Sequence, residues 1–462
     1  MGKLLSRPGR LLLPIAVLLL VGGYVSSATA YVPPPLKAGM TYNIPGDHNT
    51  PELLVNLRKM MVAIDGTKSG DTIRMAFFSL TVENFSDKLI EAYNRGVTVR
   101  LIQDDHEIGP MWQDLVNVLG SDPTRKSWAI VCHRSCASDE NPSYMHAKIY
   151  LFSHTKSLSK VTMVCSCNPT YTQARVGWND MYTWVGDSTI YDGGVRYFEE
   201  MTKDAIDDAL PGDQTKAIPQ DRYFSVASGR TQFYFFPKAG DGPEEDPIFQ
   251  MLRDVDCIGT APGYGSLGRT IIKVAMYQWS VRRDRIAHRL WDLSQEGCWV
   301  DIVYDQTATD KEVIDVLKTR GLGFYPIPTL EKSSMDKNDD GNFEHFVDVF
   351  NHEKYVLING IYEGDTSTKF VIAGTANWTN TALQYGQEIT FTIKDNAVYN
   401  AYREQFSVMK AWAQSLPTKW LASGPFPSDL DGGGDDEGAG LSPGLIPGAN
   451  ITRNEILPVD RE

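Results

Sequence analysis

The sequence has no Cys-x-x-Cys pair among its six cysteines, which argues against a structural zinc site. Positive charge is in deficit, with 44 Lys and Arg against 58 Asp and Glu and a formal net charge of -14. Such a surface repels polyanions at long range, which argues against a general nucleic-acid binder but says nothing of the field inside a cleft. After residue 30 no apolar run is long enough to span a bilayer. Global disorder is also excluded, because 42% of the 462 residues are hydrophobic and 11% aromatic. That length suits two or three ordinary domains, or one large α/β unit built from two halves.

Residues 1–30 read as an export signal. Lys3, Arg7 and Arg10 form a basic start, Leu11 to Val21 an apolar run, and Ala28-Thr29-Ala30 a small-residue cleavage site. A membrane anchor is the competing reading, but the run is short and Pro14 interrupts it. Cleavage near Ala30 predicts a secreted, soluble protein. Losing three positive charges and no negative ones takes the formal charge from -14 to -17. An oxidising destination makes disulfides plausible. Cys257 and Cys298 share the second half, and Cys132 lies near Cys136. Cys165 and Cys167 sit two apart in an apparent strand and are not expected to pair. Connectivity otherwise stays open.

The chain then states one pattern twice. Thr72 to Phe78 reads as a buried strand, followed by a helix around Lys88 to Asn94, a stop at Gly96, and a strand from Val97 to Gln103 ending in Asp104. In the second half come Ile272 to Tyr277, a helix from about Arg285 to Ser294, Gly297, and a strand from Trp299 to Tyr304 ending in Asp305. Strand-length apolar runs alternating with amphipathic stretches and glycine stops read as βαβ units. These readings place a first half at 31–222 and a second at 223–422, joined through the polar stretch 211–228. Residues 423–462, rich in Gly, Asp and Pro, are expected to be a flexible acidic tail.

Each half ends in the same chemistry. Met145-His146-Ala147-Lys148 opens one apparent strand and Asn351-His352-Glu353-Lys354 another, so a spacing of two should put each histidine and lysine on one face. Ser166-Cys167-Asn168 and Thr375-Ala376-Asn377 follow, and then Asp180 and Glu388. One His-x-Lys would be weak evidence, but two in equivalent places make chance a poor explanation. The chain resembles the phospholipase D superfamily, marked by a doubled His-x-Lys-x4-Asp motif followed by Gly-Ser-x-Asn or a similar element. The likeness covers nearly all of residues 40–420. Gly374-Thr375-Ala376-Asn377 fits well, whereas Ser153 and Asn359 stand at the motif aspartates and Cys165 replaces a glycine.

The resemblance implies an α/β fold of two similar halves with central mixed sheets, packed about a pseudo-twofold axis with one shared active site. It also implies His146 as nucleophile, His352 as acid, and Asp180 and Glu388 as the carboxylates that orient the imidazoles. Lys148 and Lys354 would place charge on the phosphate, with contacts from Ser166, Asn168, Thr375 and Asn377. The expected function is phospholipid head-group hydrolysis or exchange through a phosphohistidine, without metal or cofactor, by a monomer that touches lipid surfaces peripherally. An extracellular nuclease of the same superfamily and a non-catalytic lipid- or phosphate-binding protein are the alternatives. Asp336 to Gly341 resembles the start of a calcium loop, but Val347 stands where its final glutamate should be. His106, His133, His154 and His288 lack repeat partners and read as surface or supporting residues. Trp112, Trp178, Trp184, Trp279 and Trp378 are candidates for an apolar substrate mouth, though large aromatics more often fill the core.

Overall fold

The computed structural model describes residues 35–45, 54–138, 140–208, 222–319, 321–327 and 349–415. The export signal, the acidic tail, most of the 211–228 junction and the calcium-like loop at 336–341 lie outside the described residues. None of the described helices is long and apolar enough to cross a membrane.

Two mixed sheets carry the fold. The first runs in the order Gly39–Tyr42, Asp180–Val185, Leu158–Cys165, Ile149–Thr155, Thr72–Phe77, Thr98–Asp104 and Trp128–Cys132. The second repeats the last six places as Ile389–Lys394, Asp365–Gly374, Lys354–Tyr362, Ile271–Met276, Trp299–Asp305 and Leu322–Ile327. Thr231–Phe235 and Phe224–Ser228 extend its other edge. In each half three parallel strands join an antiparallel group, as two βαβ crossovers followed by hairpin-type returns require.

Local sequence explains the elements. The strand Ile271–Met276 is buried on both faces, which suits its near-continuous apolar run. The helix Arg285–Glu296 buries Ile286, Leu290 and Leu293 on one stripe and ends at Gly297, whose φ of 108° only glycine adopts cheaply.

Each half has an outer core beneath its crossover helices, and a third core joins the two sheets. That shared core contains Leu151, Trp184 and Phe198 from the first half with Phe233, Phe391 and Tyr402 from the second. The helix Ser188–Asp208 packs on the first sheet and reaches Phe224–Ser228 of the second. The helix Asn396–Ser415 covers the second sheet and reaches Gly39–Tyr42 of the first. The halves are therefore interleaved rather than merely adjacent.

Two expectations change here. Cys165 and Cys167 do form a disulfide, beside Cys132–Cys136 and Cys257–Cys298. The strand ends at Cys165, so Cys167 lies in a bend and the two Cα atoms are 5.0 Å apart instead of a full strand repeat. All five tryptophans offered as a substrate mouth are buried. They pack cores, as do Trp279 and Trp378, whose rings meet edge to face at 4.5 Å.

Candidate active site

Both histidines stand just before their strands, which begin at Ile149 and Lys354, not within them as the spacing predicts. The other half holds them there. The His146 amide donates to the Gln387 carbonyl at 3.1 Å, and the His352 amide to the Trp178 carbonyl at 3.1 Å. Phe350–Asn351 pairs in parallel with Gly177–Trp178, and Met145 bridges Gln387. Neither motif is complete without the opposite half.

The side chains cross over in the same way. His146 Nδ1 lies 2.7 Å from Glu388 Oε1, and His352 Nδ1 lies 2.9 Å from Asn179 Oδ1. Asn179 donates through Nδ2 to the Gln173 carbonyl at 3.0 Å, which fixes its Oδ1 as the acceptor. Both imidazoles therefore carry hydrogen on Nδ1 and present Nε2 as the reactive nitrogen.

Asp180, expected to orient a histidine, does not. Strand register explains the difference: Cys165 opposes Met181 and Gly374 opposes Thr390, so Asn179 is the structural equivalent of Glu388 and Asp180 that of Ile389. Asp180 faces the shared core, accepts from Tyr402 Oη at 2.7 Å and hydrogen-bonds Glu353. Ser166 and Thr375 lie one step behind the histidines' partners. The Thr375 hydroxyl donates to Glu388, and the Ser166 hydroxyl donates to Asn179 Oδ1 at 3.2 Å. Each hydroxyl steadies the group that steadies the opposite histidine.

The remaining positions flank the histidines. Lys148 Nζ donates to the His146 carbonyl at 3.0 Å and Lys354 Nζ to the His352 carbonyl at 2.9 Å. Asn168 Oδ1 accepts from the Phe78 amide at 3.0 Å, and Asn377 Nδ2 donates to Gln278 at 3.2 Å. The motif positions Ser153 and Asn359 tie down neighbouring backbone, accepting from Thr72 and Gly265 amides at 2.8 and 3.1 Å. Aromatic walls repeat as well: Phe78 stands beside His146 with Tyr144 packed edge-on against Phe78, and Tyr277 and Phe350 stand beside His352.

Burial holds the protonation of both histidines well below the usual range, and both lysines push the same way. Both imidazoles are therefore neutral in the resting site, beside concentrated positive charge. An anionic phosphate would be drawn in, and its charge would relieve the lysines' hold on imidazole protonation. Among the described residues, one group of potential metal ligands gathers: Asp104, Asp105 and His106. His106 Nδ1 is already 2.5 Å from Asp104 Oδ1, and Asp105 is 2.6 Å from His133 Nδ1.

Several contributors escaped the sequence reading. Asn179 was hidden by a one-residue offset, which the alternation of Tyr182 and Trp184 against Phe391 and Ile393 could have exposed. Arg283 has no local signal. It is buried, pairs with Asp246 through two bonds of 2.6 and 2.8 Å, and donates to the Asn377 carbonyl at 3.2 Å.

A duplicated α/β scaffold that places two neutral histidines and two lysines at one interface defines a phosphodiesterase- and phosphotransferase-type protein. The chain belongs to the PLD-like domain family of cardiolipin synthase, whose model matches residues 61–202 and 268–410, one stretch in each half. No curated protein matches. Similar solved structures include phosphatidylserine synthase of Haemophilus influenzae, at 9% identity over 84% of this chain and 87% of that one, with a TM-score of 0.47. Polyphosphate kinase of Porphyromonas gingivalis is 12% identical over 81% of this chain, with a TM-score of 0.44. The chain spans half of that kinase's length. Nuc of Salmonella typhimurium, a phospholipase D family member, is 16% identical over 40% of this chain and 94% of its own, with a TM-score of 0.25.

Proposed function

We propose that the protein is an exported enzyme that hydrolyses phospholipid head-group diesters, or exchanges the head group, through a covalent phosphohistidine. The observation that carries this reading is the pair of Nδ1-anchored imidazoles, one on Glu388 and the other on Asn179. Their different partners divide the work. Phosphorylation at Nε2 leaves the His146 ring cationic, and the Glu388 carboxylate neutralises it. Asn179 orients His352 without adding charge, so its imidazolium remains a strong acid.

His352 takes up a proton from solvent at Nε2 as the anionic diester binds; in the first step His146 Nε2 attacks phosphorus as the head-group oxygen leaves with that proton. Lys148 and Lys354 balance charge on the phosphoryl oxygens, with amide donation from Asn168 and Asn377. In the second step His352 takes a proton from water or an alcohol, whose oxygen attacks phosphorus and breaks the P–N bond. Phosphatidic acid or a new diester is released.

The acidic balance of the chain and the aromatic walls favour a lipid over a nucleic-acid substrate. The basic and apolar start of the sequence supports export, and a monomer touching the lipid surface peripherally suffices for the chemistry.

The test is turnover of phosphatidylcholine vesicles and of single-stranded DNA with ethanol present, beside His146→Ala and His352→Ala. Choline release with phosphatidylethanol formation, abolished by either substitution, supports the proposal. DNA cleavage alone makes the protein a nuclease with the same mechanism. Turnover of neither, with binding of phosphatidate vesicles intact, makes it a non-catalytic binder.

A further inference from the structure

We propose that Asp104 and Asp305 are positioning residues, one for each histidine; the assignment rests on the two-histidine reading of the site. Each is the last residue of the strand beside its half's central strand, and each is fully buried. Asp104 Oδ1 accepts from the His106 amide at 2.9 Å, and Asp305 Oδ1 accepts from the Thr307 and Ala308 amides at 2.9 and 3.1 Å. These bonds fix each carboxylate in its own turn. The second oxygen then reaches across to the residue preceding the histidine. Asp104 Oδ2 accepts from the Met145 amide at 2.7 Å, and Asp305 Oδ2 from the Asn351 amide at 3.2 Å.

This completes a clamp of two consecutive amides. In extended backbone, successive N–H groups point to opposite sides. Met145 N–H goes to Asp104 of its own half, with the Arg134 carbonyl also within 3.2 Å, and His146 N–H goes to Gln387 of the other half. Asn351 N–H goes to Asp305, and His352 N–H to Trp178. The imidazoles are thus held from both halves at adjacent atoms, which fixes the direction of Nε2. The local sequences differ, His106 occupying the place of Thr307, yet the same bond recurs. A buried carboxylate is costly to keep unless its bonds are used, and here both oxygens are.

Asparagine at either position turns one acceptor into an N–H facing another N–H. The expected effects differ by half, because Asp305 acts through the acid and Asp104 through the nucleophile. The first-turnover release rate is measured for a choline diester, whose leaving group needs a proton, and for a p-nitrophenyl diester, whose leaving group does not. D305N should slow the choline ester roughly a hundredfold and spare the p-nitrophenyl ester, whereas D104N should slow both by a similar factor. Histidine ring NMR titration gives a readout without turnover: of the two site histidines, D104N should move the His146 signals and not those of His352, besides those of His106, which Asp104 holds directly, and D305N should move those of His352 and not those of His146. Equal slowing of both esters by both variants, or ring signals that stay put or move together, overturns the proposal. If the unmodified protein cleaves neither ester, the functional reading fails while the ring signals still decide the positioning. Asp→Glu variants, which keep the charge on a longer arm, replace any Asn variant that does not fold.

Discussion

Glu353 lies between His352 and Lys354, fully buried, with its carboxyl pushed well above the usual range by burial and then by the neighbouring Asp180 carboxylate. It therefore carries the proton that the two carboxyl groups share, and Asp180 accepts it. Gln405 donates to Glu353 and Tyr402 to Asp180, so the helix Asn396–Ser415 grips both ends of the pair. In Glu353→Gln the amide oxygen can accept from Gln405 and the NH2 can donate to Asp180, reproducing both bonds without a titrating group. A raised folded value means the stability contribution is complete below the free value of 4.5 and is lost as pH rises through the folded one. The native protein should therefore lose stability relative to E353Q on going from about pH 5 to about pH 7, by about 1.4 kcal/mol for each pH unit that lies between the free and the folded values. Equilibrium urea unfolding of both proteins at the two pH values measures this, with midpoints compared at equal slope. Parallel pH dependence of the two proteins would refute the shared proton.

Glu388→Gln leaves the His146 ring oriented but its phosphorylated, cationic form without a counter-charge, so kcat should fall by roughly 10²- to 10⁴-fold in a steady-state assay. Asn179→Asp gives His352 a carboxylate partner. Its imidazolium becomes a weaker acid, so the basic limb of the kcat–pH profile should move up while choline release slows; an unmoved limb argues against His352 as the acid. Lys148→Met removes one of the charges that hold both imidazoles neutral, so NMR titration should place both histidines higher than in the native protein. The Cys257–Cys298 bond closes a separation of 41 residues, and replacing both by alanine should cost about 4 kcal/mol in urea unfolding if chain entropy governs.

The doubled βαβ pattern, the glycine stops and both His-x-Lys pairs were readable because they rest on short-range periodicity. Gly297 ends its helix and Asp104 and Asp305 end their strands where the pattern put them. What was not readable is relational. That Asn179 and not Asp180 holds an imidazole depends on strand register, and a one-residue offset reverses which face a side chain occupies. That Glu388 serves the histidine of the other half follows only once the sheets are packed together. The Cys165–Cys167 bond escaped because the strand ends at Cys165, two residues short of Cys167. Arg283 and Asp246 become supports for Asn377 only through a fold that brings together positions 94 residues apart.

Duplication alone would give two equivalent histidines, and two equivalent histidines make a poor catalyst of displacement. One must attack as a neutral base while the other holds a proton, yet burial and the same two lysines depress both. Symmetry is broken at one pair of equivalent positions, where the second half supplies a carboxylate and the first an amide. Position is preserved by this exchange, since both groups accept from Nδ1 and both are steadied by a hydroxyl, Thr375 or Ser166. Charge is not preserved. A carboxylate stabilises the cationic ring of a phosphohistidine, whereas an amide leaves an imidazolium ready to surrender its proton. The residue displaced from that role, Asp180, is not wasted on solvent: it joins Glu353, the residue after His352, in the shared core. On the proposed phosphohistidine mechanism the outer partner of each ring assigns its role, so exchanging Asn179 and Glu388 together should reverse which histidine is phosphorylated in a trapped intermediate. Phosphate still found on His146 in that double variant would place the asymmetry elsewhere, in the substrate-facing walls of the two halves.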